Sequence, residues 1–139
     1  MASLPLGAVY LNDHYINHDP PTADELNRLR CGIKSILKQH GEMENFASGA
    51  TIIGTAGTIS TLAAIDLGLP AYNPDKINGH MLTVGAINRI VTLLSSSTLN
   101  NRRNIPGLEQ GREDIIMTVA VVAQVIMEHF AATSMLVSD

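Results

Sequence analysis

No stretch limits this chain more than Ala50-Thr51-Ile52-Ile53-Gly54-Thr55-Ala56-Gly57-Thr58-Ile59-Ser60-Thr61-Leu62. β-branched residues lead into a Gly/Thr turn that passes directly into helical spacing, so the segment reads as strand, turn and helix. Gly54 and Gly57 carry no Cβ, and the backbone there accepts positive φ and close approach by a ligand. A helix that starts at such a turn leaves its first N–H groups unpaired, aimed where an anion would sit. The hydroxyls of Thr55, Thr58, Ser60 and Thr61 are candidate further donors. Phosphate or nucleotide contact at the end of a sheet is one reading. A tight strand-to-helix turn that uses glycine only for packing is the other, and the residues alone leave both open.

Around this segment, residues 4–11 have β character. Thr22-Ala23-Asp24-Glu25 then has the spacing of a capping box, in which the Thr22 hydroxyl and the Glu25 carboxylate each take a backbone N–H of the other. Leu26, Leu29, Ile33, Ile36 and Leu37 follow at helical spacing, and Gly41 is a plausible stop. A strand over residues 50–53 and a helix over 58–67, ended by Gly68 and Pro70, come next. The spacing predicts a helix from Thr83 that breaks at Ser95-Ser96-Ser97, a short helix at 99–104 capped by Thr98, and a long apolar helix over 112–131. Residues 135–137 read as a last strand. Crossovers of this length imply parallel strands joined right-handedly, with helices on both faces of the sheet. Ligands in such sheets lie beyond the carboxyl ends of the strands, where Gly54–Thr58 and Ser138-Asp139 both fall.

At 139 residues the chain fits one domain spanning 1–139. A net charge of −4 argues against a general nucleic-acid binder, which needs a basic field to displace counterions. The single cysteine, Cys31, excludes an internal disulfide, fits a reducing cytoplasm and reads as a core residue on an apolar helix face. No export signal or membrane span is read: the longest apolar run, 115–127, is too short and reads as a buried helix. His14 and His18 have a spacing that suits a metal only on a helix, and here they fall in an expected loop. His80 has no identifiable carboxylate or serine partner along the chain, so a structural role is expected. Arg102 and Arg103 read as a solvated basic pair.

Taken in order, the Gly/Thr turn, Leu67-Gly68-Leu69-Pro70, Asn78-Gly79-His80, Asn101-Arg102-Arg103-Asn104-Ile105-Pro106-Gly107-Leu108 and Arg112-Glu113-Asp114-Ile115-Ile116 resemble the exopolyphosphatase and guanosine pentaphosphate phosphohydrolase family. This family belongs to the actin, Hsp70 and sugar-kinase superfamily. Residues 3–9 and Val137-Ser138-Asp139 are similar to its pattern too, so the resemblance covers essentially the whole chain.

The resemblance implies an α/β fold, a partial ribonuclease-H-like (actin-like ATPase) domain from the second half of a longer phosphatase. It implies a parent that hydrolyses terminal phosphoanhydride bonds of polyphosphate or guanosine pentaphosphate, with Mg²⁺ as cofactor. Family members use an Asp-x-Gly phosphate loop near the start of each domain and a catalytic Glu before the second loop. We expect neither here, and so no catalytic residue and no activity of these residues alone. Carried over, Gly54, Thr55, Ala56, Gly57 and Thr58 match the phosphate or nucleotide turn, with Ala56 standing where many members have Gly. Arg112 matches an arginine near the cleft that would pair with phosphate. Glu113 replaces the small residue usual there, and an Arg112 pairing with Glu109 or Asp114 is the competing reading. The alternative function is a non-catalytic phosphate- or nucleotide-binding or oligomerisation module, since a truncated domain leaves a sheet edge open. Partners implied are the remaining domains of the parent and a second copy of the chain, with no nucleic acid and no membrane.

Overall fold

The computed structural model describes residues 8–18, 21–39, 52–55, 57–69, 73–102, 104–106, 108, 115–129 and 133–138. Two helices open it, α1 (Ala8–Tyr15) and α2 (Ala23–Gln39), followed by β1 (Ile52–Thr55) and α3 (Gly57–Leu67). Then come α4 (Pro74–Ile77), β2 (Met81–Thr83), α5 (Val84–Ser95), α6 (Leu99–Arg102), α7 (Ile116–His129) and β3 (Ser134–Ser138).

The three strands form one sheet in the order β1-β3-β2. β1 and β3 are parallel, with Gly54 opposite Val137 and Thr55 opposite Ser138. β2 runs antiparallel to β3, with Leu82 opposite Met135, which corrects the expectation of an all-parallel sheet. The reason lies in α3. It touches all three strands, and its last turn meets His80 at the head of β2 through Asp66. The Val137 N–H donates to His80 O at 2.9 Å, so β2 begins beside the same end of β3 that lies next to β1's carboxyl end. α3 thus carries the chain across the sheet rather than back along it, and the next strand must run the other way. Among the described strands, the main helix contacts are those of α3 with all three and of α5 with β2; they do not establish a helical layer on each face.

The capping box forms as its spacing predicts. Glu25 N–H donates to Thr22 Oγ1 at 3.1 Å, and Thr22 N–H donates to Glu25 Oε1 at 2.9 Å. Leu29 and Ile33 bury the inner face of α2 against α7, while Cys31 is exposed, contrary to its reading as core. Cys31 sits between the buried stripe and Lys34, on the solvent side of the wheel. Gly32 lets α1 come close: a Cβ there would collide with the Tyr15 hydroxyl. α1 itself corrects the β reading of residues 4–11. From Ala8 onward the chain is helical, because Leu11 is buried in the core and Asn12 Oδ1 accepts from the buried Thr118 hydroxyl on α7 at 2.9 Å. Packing outweighs a weak β propensity. The rest of that stretch, residues 4–7, and the expected stop at Gly41 lie outside the described residues.

α7 is the hub of the helical layer, meeting α1, α2, α3 and α5. Nine of its side chains, from Ile116 to Met127, are buried, as expected of a helix apolar nearly all round. Thr83 caps α5 by accepting the Ala86 N–H at 3.1 Å, and the hydroxyls of Ser96 and Ser97 turn back to Thr92 O and Leu93 O, ending the helix where the serines predict. Thr98 Oγ1 accepts from Asn101 N–H at 3.3 Å, the expected cap of α6. Arg102 is not solvated: it is 3% exposed, and its Nε donates to Leu94 O at 3.0 Å, tying α6 to the end of α5. Arg103 lies outside the described residues.

Candidate functional site

The Gly/Thr segment sits where its sequence context places it, at the shared carboxyl end of the parallel pair β1 and β3. Gly54 and Thr55 are the last residues of β1, in register with Val137 and Ser138. Gly57 and Thr58 are the first of α3, which has no acidic residue in its first turn. The strand therefore hands the chain to a helix N-terminus within one residue, Ala56, which itself lies outside the described residues. Unpaired N–H groups and the positive end of the helix dipole face outward at such a junction. Ser60 and Thr61 do not join it. They are buried, at 0% and 3% exposure, and engaged within the protein, so their hydroxyls serve the core rather than a ligand. Arg112 lies outside the described residues, as do Glu109, Glu113 and Asp114.

Across β3 from Gly54, a second turn borders the same end of the sheet. His80 N–H returns to Ile77 O at 3.0 Å, and Gly79 takes φ +86, a conformation that suits glycine. Gly79 N–H donates to Val137 O at 2.8 Å, so this turn is fastened to the strand that pairs with Gly54. The His80 side chain corrects the expectation that it has no carboxylate partner. Its Nε2 lies 2.7 Å from Asp66 Oδ2, and the Arg89 guanidinium donates to Asp66 Oδ1 at 2.5 Å. Fourteen residues separate His80 from Asp66, with no local pattern linking them, and only the path of α3 brings them together. Asp66-Leu67-Gly68 also spells the Asp-x-Gly tripeptide that we expected to be missing. Here it is a helix end, not a phosphate loop: Gly68 has φ +66, and Leu69 N–H bonds back to Ala64 O at 3.1 Å.

A cavity of about 360 Å³ opens between α1 and α2, bordered by His14, Tyr15, His18, Asp24, Glu25 and Arg28. His14 lies on α1 rather than in the loop expected of it. Polar groups in this cavity already pair with one another: His18 Nδ1 lies 3.2 Å from Glu25, and Arg28 3.0 Å from Asp24. Burial opposes the charged form of Glu25, but the N–H groups of Thr22 and Asn17 and the His18 ring outweigh it and lower its pKa to about 2. Among the described residues, no three His, Cys, Asp or Glu side chains gather to hold a metal. Among them, too, no helix is long and apolar enough to cross a membrane.

With the junction in view, similarity to known proteins defines the class. The family model described as the Ppx/GppA phosphatase family matches residues 1–139, and the chain belongs to that family. It is 28% identical to the bifunctional 3-dehydroquinate synthase/phosphatase of Fusobacterium nucleatum, over 99% of this chain and 20% of that protein. It is 25% identical to exopolyphosphatase 2 of Mycobacterium tuberculosis, over 88% of this chain and 38% of that one. Among solved structures, the Aquifex aeolicus Ppx/GppA phosphatase superposes with a TM-score of 0.89 at 29% identity, covering 99% of this chain and 45% of its own. An exopolyphosphatase from Cytophaga hutchinsonii shares the fold, with a TM-score of 0.82 at 22% identity. The chain thus spans less than half the length of these relatives, and its mixed architecture of helices on a small sheet is that of the corresponding region of the Aquifex structure.

Proposed function

We propose that residues 1–139 are one partial ribonuclease-H-like domain of a phosphatase that removes terminal phosphates from polyphosphate or guanosine pentaphosphate, and that Gly54, Thr55, Ala56, Gly57 and Thr58 cradle a phosphate for it. The observation that carries this reading is the β1–α3 junction: glycines and threonines pass from a parallel strand into a helix N-terminus at the carboxyl end of the sheet, in a chain of this family. The junction's N–H groups would bind and orient a phosphate and take up charge as water attacks the terminal phosphorus. Arg112 is assigned to the same phosphate as a bidentate donor. The base, the glutamate implied by the family resemblance, and the Asp-x-Gly loops would come from the rest of the enzyme, as would the Mg²⁺ ligands. A cytoplasmic location fits such substrates.

Calorimetric titration with tripolyphosphate tests the reading. Binding by the chain, weakened about tenfold or more by Gly54→Val at the strand end, supports it. Saturable phosphate release by the chain alone would overturn the assignment of catalysis to other domains.

A second reading, an oligomerisation module, is favoured by one observation. Among the described residues, three large apolar side chains, Leu67, Met81 and Leu93, are exposed, with β2 at the edge of the described sheet. Sedimentation that shows a dimer lost on Leu93→Glu, with no polyanion binding, would favour it over the first.

A further inference from the structure

The geometry points to Asp66 as the positioning residue that aims the first turn of α3 at its anion, a role that rests on the reading of the β1–α3 junction as a phosphate site. α3 is pinned at both ends. At its start it continues from β1 through one residue; at its finish the Asp66 carboxylate is held by His80 on the strand side and by Arg89 on α5. With eleven residues, α3 is a rigid rod of about 16 Å. The direction of its N–H groups is the direction of that rod, so fixing the far end fixes the aim of the near one.

Burial separates this cluster from an ordinary surface pair. The Asp66 side chain is 13% exposed and His80 20%, whereas Arg89 is 69% exposed. A carboxylate that far from water needs its partners, while an exposed ion pair alone would hold nothing firmly. The anchor is also tied to the site by a second route. His80 O accepts from Val137 N–H, and Val137 is the register partner of Gly54. Asp66 thus connects the helix that leaves the junction to the strand row from which it departs. The charges of the α1–α2 cavity make no comparable link, since they close on one another.

Amide spectra of the ¹⁵N-labelled chain, with and without tripolyphosphate, test this directly. Asp66→Ala is expected to shift the Gly57 and Thr58 amide resonances in the absence of ligand and to weaken tripolyphosphate binding about tenfold. Asp66→Asn, which keeps an acceptor for one partner, should recover part of the affinity. Arg89→Gln changes an exposed side chain and serves if Asp66→Ala does not fold; it should produce the same shifts at reduced size. Unmoved Gly57 and Thr58 amides, or lower stability with full affinity in every variant, would overturn the role of Asp66. The ligand-free shifts judge Asp66 even if the wild-type chain binds no tripolyphosphate, an outcome that would instead remove the phosphate reading of the junction.

Discussion

The N-termini of α2 and α3 meet the same physical problem in opposite ways. At α2, the chain supplies its own anion: Glu25 receives the N–H groups of Thr22 and Asn17, is 7% exposed and has a pKa of about 2. At α3, the first turn opens with Gly57 and Thr58 and carries no acid. Unpaired N–H groups and dipole charge are common to both ends. What differs is that a carboxylate of the chain answers them at α2, whereas the first turn of α3 holds no acid. The filled end stabilises the fold; the other, at the carboxyl end of the parallel strands, is the one to which the proposed phosphate contact is assigned.

Exchanging the two solutions should break this contrast. Glu25→Ala removes an acceptor from two backbone donors and from His18, and urea unfolding should show a loss of about 3 kcal/mol. Installing the missing acid at the other end, Thr58→Glu, should cost about 100-fold in tripolyphosphate affinity by calorimetry, or about 2.7 kcal/mol, while leaving thermal stability equal or slightly higher. Unchanged affinity would mean that the end of α3 is not where the anion sits. Thr22→Ala removes only the other half of the capping box and should cost about 1 kcal/mol.

The pH dependence sharpens the same point. Because Glu25 is lowered from its ordinary 4.5 to about 2 in the folded chain, its contribution is fully present above about pH 4.5 and is lost as pH falls toward 2. Acid titration of stability should therefore lose one component in that window, and Glu25→Gln should lack it. Smallest of all, Cys31→Ser on the exposed side of α2 should change stability by less than about 0.5 kcal/mol.

Local chemistry was readable along the chain wherever partners are close in sequence. Thr22 and Glu25, Thr98 ahead of α6, and Gly68 after α3 form the caps and stops that the sequence predicts. Features that depend on distant partners were not readable. Helix α1 replaces an expected strand because its Asn12 meets Thr118 across the core, more than a hundred residues on. β2 runs antiparallel because α3 crosses the sheet, which no count of crossover length reveals. Likewise, Arg102 is buried against the end of α5, and His80 finds Asp66 only through the fold. For the site, a strand passing into a helix was legible, but β1 runs on through Gly54 and Thr55, which were read as turn, and Ser60 and Thr61 belong to the core, a fact set by which face of α3 packs inward.

One feature of the sheet also bears on how the protein is made. Its middle strand, β3, follows every other described element in the chain, while β1 and β2 come much earlier. At ribosomal speed, the interval between synthesis of β1 and of β3 is on the order of ten seconds. Until β3 is made, the two other described strands lack the neighbour that joins them, and the β1–α3 junction has only one of its two strand ends. The nascent chain is therefore most in need of chaperone cover during that interval, which ends when β3 joins β1 to β2.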